Sequence, residues 1–90
     1  MNNTLYAAIE NTILRYHYHL TFSSPVGSFV TMFKFKQYSV TVITYDDHFV
    51  VMLNHNSGRQ IEKCQAYRDS QVIDLVNWFF DLYILDVKNK

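Results

Sequence analysis

Four groups of residues in this chain have the types and spacing to do chemistry. His17 and His19 stand two apart in RYHYHLTF, and on an extended strand both imidazoles would share one face, within about 7 Å of each other. Two ligands do not hold zinc, which takes three or four with a supporting hydrogen-bonded shell, and the chain has neither a helical His-x-x-x-His nor a Cys-x-x-Cys. Exposed strand histidines opposite the tyrosines are the expectation, with no metal. Asp46-Asp47 is a carboxylate pair, but adjacent residues on a strand point to opposite faces, so the pair reads as turn chemistry. Cys64 becomes a nucleophile only where a neighbour lowers its pKa, and Lys63 should face the other side of the strand, so a structural cysteine is expected. Gly27 and Gly58 are isolated, so no phosphate-cradling loop exists. No nucleophile, base and orienting group can be assembled from this inventory. Neither an enzyme nor a cofactor is expected.

The fourth group is suited to binding. KFKQY, residues 34 to 38, interleaves lysine with rings. Lys34, Lys36, Arg59 and Lys63 together could form a basic, aromatic sheet surface of the kind that holds single-stranded nucleic acid. Two observations oppose that alternative. The RNP1 pattern of sheet-based RNA modules is missing. Double-stranded RNA domains, which share a helix–meander–helix order, put lysines at the start of the second helix, where this chain has Asp69 and Asp74.

The elements that position these groups follow from periodicity. Thr4 to about Leu14 predicts a helix, with Thr4 as N-cap and Leu5, Ala8, Ile9 and Ile13 on one face. Tyr16, Tyr18, Leu20 and Phe22 then alternate with polar residues, predicting a half-buried strand. Ser23 to Ser28 holds the only proline and predicts a loop. From Phe29 to Tyr45 the inward set changes parity, from Phe29, Phe33 and Phe35 to Tyr38, Val40 and Val42. A tight turn at Lys36-Gln37 explains the switch, and one long bulged strand is the alternative. Tyr45 to His48 and His55 to Gly58 predict two further turns, with a last strand over about Arg59 to Ala66. Asp69 or Ser70 then caps a helix running to about Asp86 or Val87. The expected fold is α+β: one domain over residues 1–90, with a meander of four or five antiparallel strands and both helices packed on one face.

The last helix carries more apolar surface than one face requires. Val72, Leu75, Val76, Phe79, Phe80, Leu82, Tyr83 and Val87, extended by Ile73 and Ile84, spread over roughly twice the usual stripe of about 100°. Trp78 and Leu85, a heptad apart, project into the polar arc with Asp74, Asn77 and Asp81. An apolar anchor with a carboxylate rim is where binding energy tends to concentrate. It suits a second copy packed helix against helix, or a host protein with a basic rim around a pocket, such as a nucleic-acid-processing enzyme.

Composition agrees with a binding role. Apolar residues make up 49% of the 90, aromatics 17%, and the formal net charge is zero, which excludes disorder and disfavours a uniformly basic nucleic-acid binder. No span of about 20 residues is free of charge, so no membrane crossing is expected. A lone cysteine and no secretory signal before the first periodic segment predict a cytoplasmic protein. The functional expectation is a small non-catalytic protein-interaction module that inhibits by occluding a host protein. Small neutral chains of phages and mobile elements, among them anti-CRISPR and anti-restriction proteins, work in this way.

Overall fold

The computed structural model describes residues 3–25 and 29–85. Helix α1 spans Asn3–Arg15, followed by strands β1 (Leu20–Pro25), β2 (Val30–Phe35), β3 (Tyr38–Thr44), β4 (Phe49–His55) and β5 (Gln60–Ala66), then helix α2 (Asp69–Phe79) and a π-helical turn, Phe80–Ile84. The strands form one antiparallel meander in the order β1-β2-β3-β4-β5, and α1 and α2 pack on each other and on one face of it.

Register explains which side chains meet the helices. Phe33 opposes Val40, which opposes Leu53, and Val42 opposes Val51. All five are fully buried with Leu5, Ile9, Ile13, Val72, Val76, Phe79 and Phe80. These residues lie at the 3.6-residue spacing on the helices and the two-residue spacing on the strands, so one core joins both layers.

The parity switch at Lys36-Gln37 is a two-residue hairpin between Phe35 and Tyr38. Lys36 takes φ 51, supplying the left-handed residue such a turn needs where glycine is usual. The next two turns fall as expected: the Tyr45 amide donates to the His48 carbonyl, and Gly58, at φ 95, donates to His55.

Several expectations are corrected. Helix α1 runs on through Arg15, and His17, at φ 67, closes it as an αL cap; its amide donates to the Leu14 carbonyl at 2.9 Å. Residues before Leu20 therefore join no strand. The reason is pairing: Leu20 opposes Phe35, the last residue of β2, and upstream residues have no neighbour to bond. Tyr16, Tyr18 and Leu20 nonetheless all pack against the core while His17 and His19 are exposed, so the alternation reported burial correctly and the ladder wrongly. Ser23 to Pro25, expected in a loop, extend β1, where proline is tolerated because the strand is at the sheet edge. Val26 to Ser28 lie outside the described residues. Phe29 is exposed rather than inward. The N-cap of α2 is Arg68, whose side chain makes no cap bond; Gln71 Oε1 instead accepts from the Tyr67 amide at 2.7 Å. Helix α1 begins at Asn3, one residue before the expected cap Thr4.

Candidate interaction surfaces

Helix α2 changes its winding after Phe79. The Leu85 amide donates to the Phe80 carbonyl at 2.8 Å, five residues back, which is the π-helical bond. One inserted residue rotates everything after it relative to a straight α-helix. Leu85 consequently packs against the core instead of extending the exposed stripe from Trp78. Leu82, 45% exposed, is the aliphatic residue left outside with Trp78, which is 40% exposed. Val87 and Asp86 lie outside the described residues.

The polar companions divide between two directions. Tyr16 Oη donates to Asn77 Oδ1 at 3.0 Å and lies 3.4 Å from Asp81 Oδ1, while its ring stacks on Phe80 with centroids 4.3 Å apart. Asn77 Nδ2 donates back to the Ile73 carbonyl at 3.1 Å. Asn77 is thus part of the α1–α2 junction, and Asp81 lies at its exposed rim. Burial first, and then the Asp81 charge, push the Tyr16 phenol above its ordinary value of 10.0. Trp78 leans the other way, against Phe79 at 5.9 Å and edge-on to Tyr83 at 5.8 Å. Tyr83 Oη in turn donates to Glu62 Oε2 on β5 at 2.6 Å, so the indole rests on a ring whose far end is pinned. Asp74 is exposed one turn before Trp78.

The four basic residues of the alternative surface are not gathered. Lys34 and Lys63 alternate with core-facing neighbours and point to the helix-free face of the sheet. They stand three strands apart, roughly 15 Å. Lys36 Nζ sits 5.8 Å from the centre of the Tyr18 ring, on the helix side of its hairpin. Arg59 lies in the β4–β5 turn. That turn is tied to the β2–β3 turn, since the Asn56 amide donates to Gln37 and Asn56 Nδ2 to the Lys36 carbonyl.

The helix-free face carries Lys34 and Lys63 of the expected basic surface, together with apolar rows that the sequence reading did not expect. Its cross-strand rows are Val30, Ile43, Val50 and Gln65; then Met32, Thr41, Met52 and Lys63; then Lys34, Ser39, Asn54 and Gln60. The centre is aliphatic, and no described residue in these rows is acidic. Beyond the first row stand Tyr45, His48 and Tyr67, with Tyr45 stacked on His48 at 4.8 Å and Asp46-Asp47 in the adjoining turn. His48 Nδ1 lies 2.6 Å from Asp47 Oδ1, a bond that holds the Asp47 carboxyl below its ordinary value of 3.8. A cleft of about 230 Å³ opens beside them, lined by Phe29, Ile43, Thr44, Tyr45 and Asp46. The signal was present in the sequence: Val30-Thr31-Met32-Phe33 and Val50-Val51-Met52-Leu53 are apolar at both parities, which marks a strand apolar on both faces.

His17 lies in a left-handed turn, so the strand geometry that would align it with His19 is absent. Among the described residues, no three of His, Cys, Asp and Glu converge. Cys64 opposes Val51 on the core side, and burial, then Glu62, push its thiol above 9.0, away from the thiolate. Among the described residues, no helix is long and apolar enough to cross a membrane.

Comparison with protein-family models, with curated proteins and with solved structures finds no match to this chain.

Proposed function

We propose that this chain is a non-catalytic protein-interaction module that acts by occupying a partner's surface, with Trp78 as its anchor. The observation that carries this reading is the indole's seat. Trp78 is 40% exposed yet held by Phe79 and by Tyr83, itself bonded to Glu62. A large ring offered to solvent in a fixed orientation loses little freedom on docking, which is what makes tryptophan an effective anchor. Leu82 widens the apolar patch, and Asp74, exposed one turn before the indole, gives it an acidic edge, with Asp81 beyond it toward the α1–α2 junction. The complementary surface is an apolar pocket rimmed by lysine and arginine, as nucleic-acid-processing enzymes present. Occlusion of such a site, the mode of phage and mobile-element inhibitors, asks for no further chemistry from this chain.

Capture from nuclease-treated host extract tests the reading, with wild type compared against Trp78→Ala and Leu82→Ala. Loss of one specific partner in both variants, with folding retained, supports it. Equal recovery of the same partner by all three proteins overturns it.

A nucleic-acid-binding reading rests on a separate observation, the acid-free rows carrying Lys34 and Lys63. It is the weaker reading, because Lys36 and Arg59 do not share that face.

A further inference from the structure

The open face of the sheet is a poor surface to leave in water. Val30, Met32, Ile43 and Met52 stand half-buried on it around Val50 and Thr41, which are already buried, and the helices cover only the opposite side. Apart from Lys63, at mid-height on the edge strand β5, charge is sorted toward the two ends of the strands. Lys34 stands at the end of the sheet that also carries the Lys36 and Arg59 turns, while Asp46 and Asp47 stand at the other end, beyond Tyr45 and His48. A sheet sorted in this way is complementary to itself when turned end for end.

We infer that the occupant of this face is a second copy of the chain, packed sheet on sheet about a two-fold axis that runs across the strands. This surface is distinct from the Trp78 stripe and leaves that stripe outward on both copies. Such an axis reverses strand direction but keeps strand order, so β2 and β3 of one copy lie over β2 and β3 of the other. The Val30–Ile43–Val50 row then packs on the Met32–Thr41–Met52 row, twice. The same operation carries Lys34, which is on β2, over the cleft between the start of β2 and the end of β3, lined by Phe29, Ile43, Thr44, Tyr45 and Asp46. The aliphatic stem of Lys34 crosses Phe29 and Tyr45, and its ammonium meets the Asp46 carboxylate. A parallel stacking would instead set the lysine ends against each other, so charge selects the end-for-end arrangement.

Sedimentation equilibrium on the full chain tests this, with circular dichroism as a check that each variant is folded. Lys34 and Asp46 are both exposed, so their substitution leaves the core untouched. Wild type is expected to sediment as a dimer across micromolar concentrations. Lys34→Glu and Asp46→Lys should each weaken association by at least about tenfold, and the double variant should recover most of that loss, because the pair is restored with its signs exchanged. Trp78→Ala should leave the dimer unchanged, so a failure of the dimer and a failure of the Trp78 reading are read separately. A wild type that is monomeric at about 100 μM overturns the proposal, as does a double variant no better associated than either single. A dimer broken by Trp78→Ala and indifferent to Lys34→Glu overturns it in favour of helix-against-helix pairing.

Discussion

Replacing Trp78 by alanine separates an anchor from a core residue, and the structure sets the size of each effect. A tryptophan offers up to about 250 Å² of side-chain surface. With 40% exposed, about 100 Å² remains for a partner and about 150 Å² is covered by this chain's own residues. At about 25 cal/mol per Å², the covered part corresponds to about 4 kcal/mol of folding stability. Compactness of the unfolded chain reduces this by about 10–40%, and alanine's helix propensity returns about 0.5 kcal/mol. The expected folding loss is therefore about 2–3 kcal/mol. In a domain of this size that lowers the melting temperature by about 10–20 °C. The exposed part corresponds to about 2.5 kcal/mol of partner binding, or roughly 50-fold or more in affinity. Phe80→Ala is the internal standard. Phe80 is fully buried and stacks on Tyr16 and on Phe35 at 5.2 Å, so it should cost about 3–5 kcal/mol or somewhat more. Thermal and urea unfolding of both variants measures the folding terms. Because Trp78 is the only tryptophan, acrylamide quenching of intrinsic fluorescence measures its exposure directly, and partner binding should protect it. A Trp78→Ala variant as unstable as Phe80→Ala, from a wild type whose fluorescence no partner protects from quenching, would refute the reasoning.

Four other outcomes are expected. His17→Gly should stabilise the fold by about 0.5–1 kcal/mol in urea unfolding, since glycine takes the αL cap of α1 without the Cβ penalty; a destabilised variant would contradict that assignment. Gly58→Ala meets no atom within 4 Å, so it should cost only the backbone strain of φ 95, about 1–2 kcal/mol, and a neutral result would show that the turn relaxes freely. Stability should fall as pH rises above about 10: Tyr16 and Tyr18, chiefly by burial, and Tyr83, chiefly by its bond to Glu62, hold their protons in the folded state when the unfolded chain has lost them, and Tyr83→Phe should flatten the alkaline limb. Any single-stranded nucleic-acid binding through Lys34 and Lys63 alone should weaken only about sevenfold between 50 and 200 mM salt, whereas a loss near 50-fold would mean that Lys36 and Arg59 also reach phosphate.

Element order, the hairpin at Lys36-Gln37, the two later turns and most of the core were legible in the sequence. Each is written in a local pattern: parity along a strand, three- and four-residue spacing along a helix, Asn, Ser and Gly in a turn. The candidate surfaces were legible only in part. Trp78, Asp74 and Asp81 stayed exposed, as a helical wheel implies. Leu85 did not, because the π-helical turn Phe80–Ile84 shifted the phase after Phe79, and the wheel assumes constant winding. Asn77 was claimed by Tyr16, a partner 61 residues away that no local pattern couples to it. Lys36 was drawn over Tyr18 by the geometry of two separate turns. The apolar alternate positions of β2 and β4, Val30 and Met32 with Val50 and Met52, announced that both faces of those strands were apolar, but not which one the helices would take. That choice belongs to the tertiary structure. Both helices had to cover the face carrying Phe33, Phe35, Val40, Val42, Val51 and Leu53, where the largest rings lie, and Val30, Met32, Ile43 and Met52 were left half-buried on the other side, around the buried Val50.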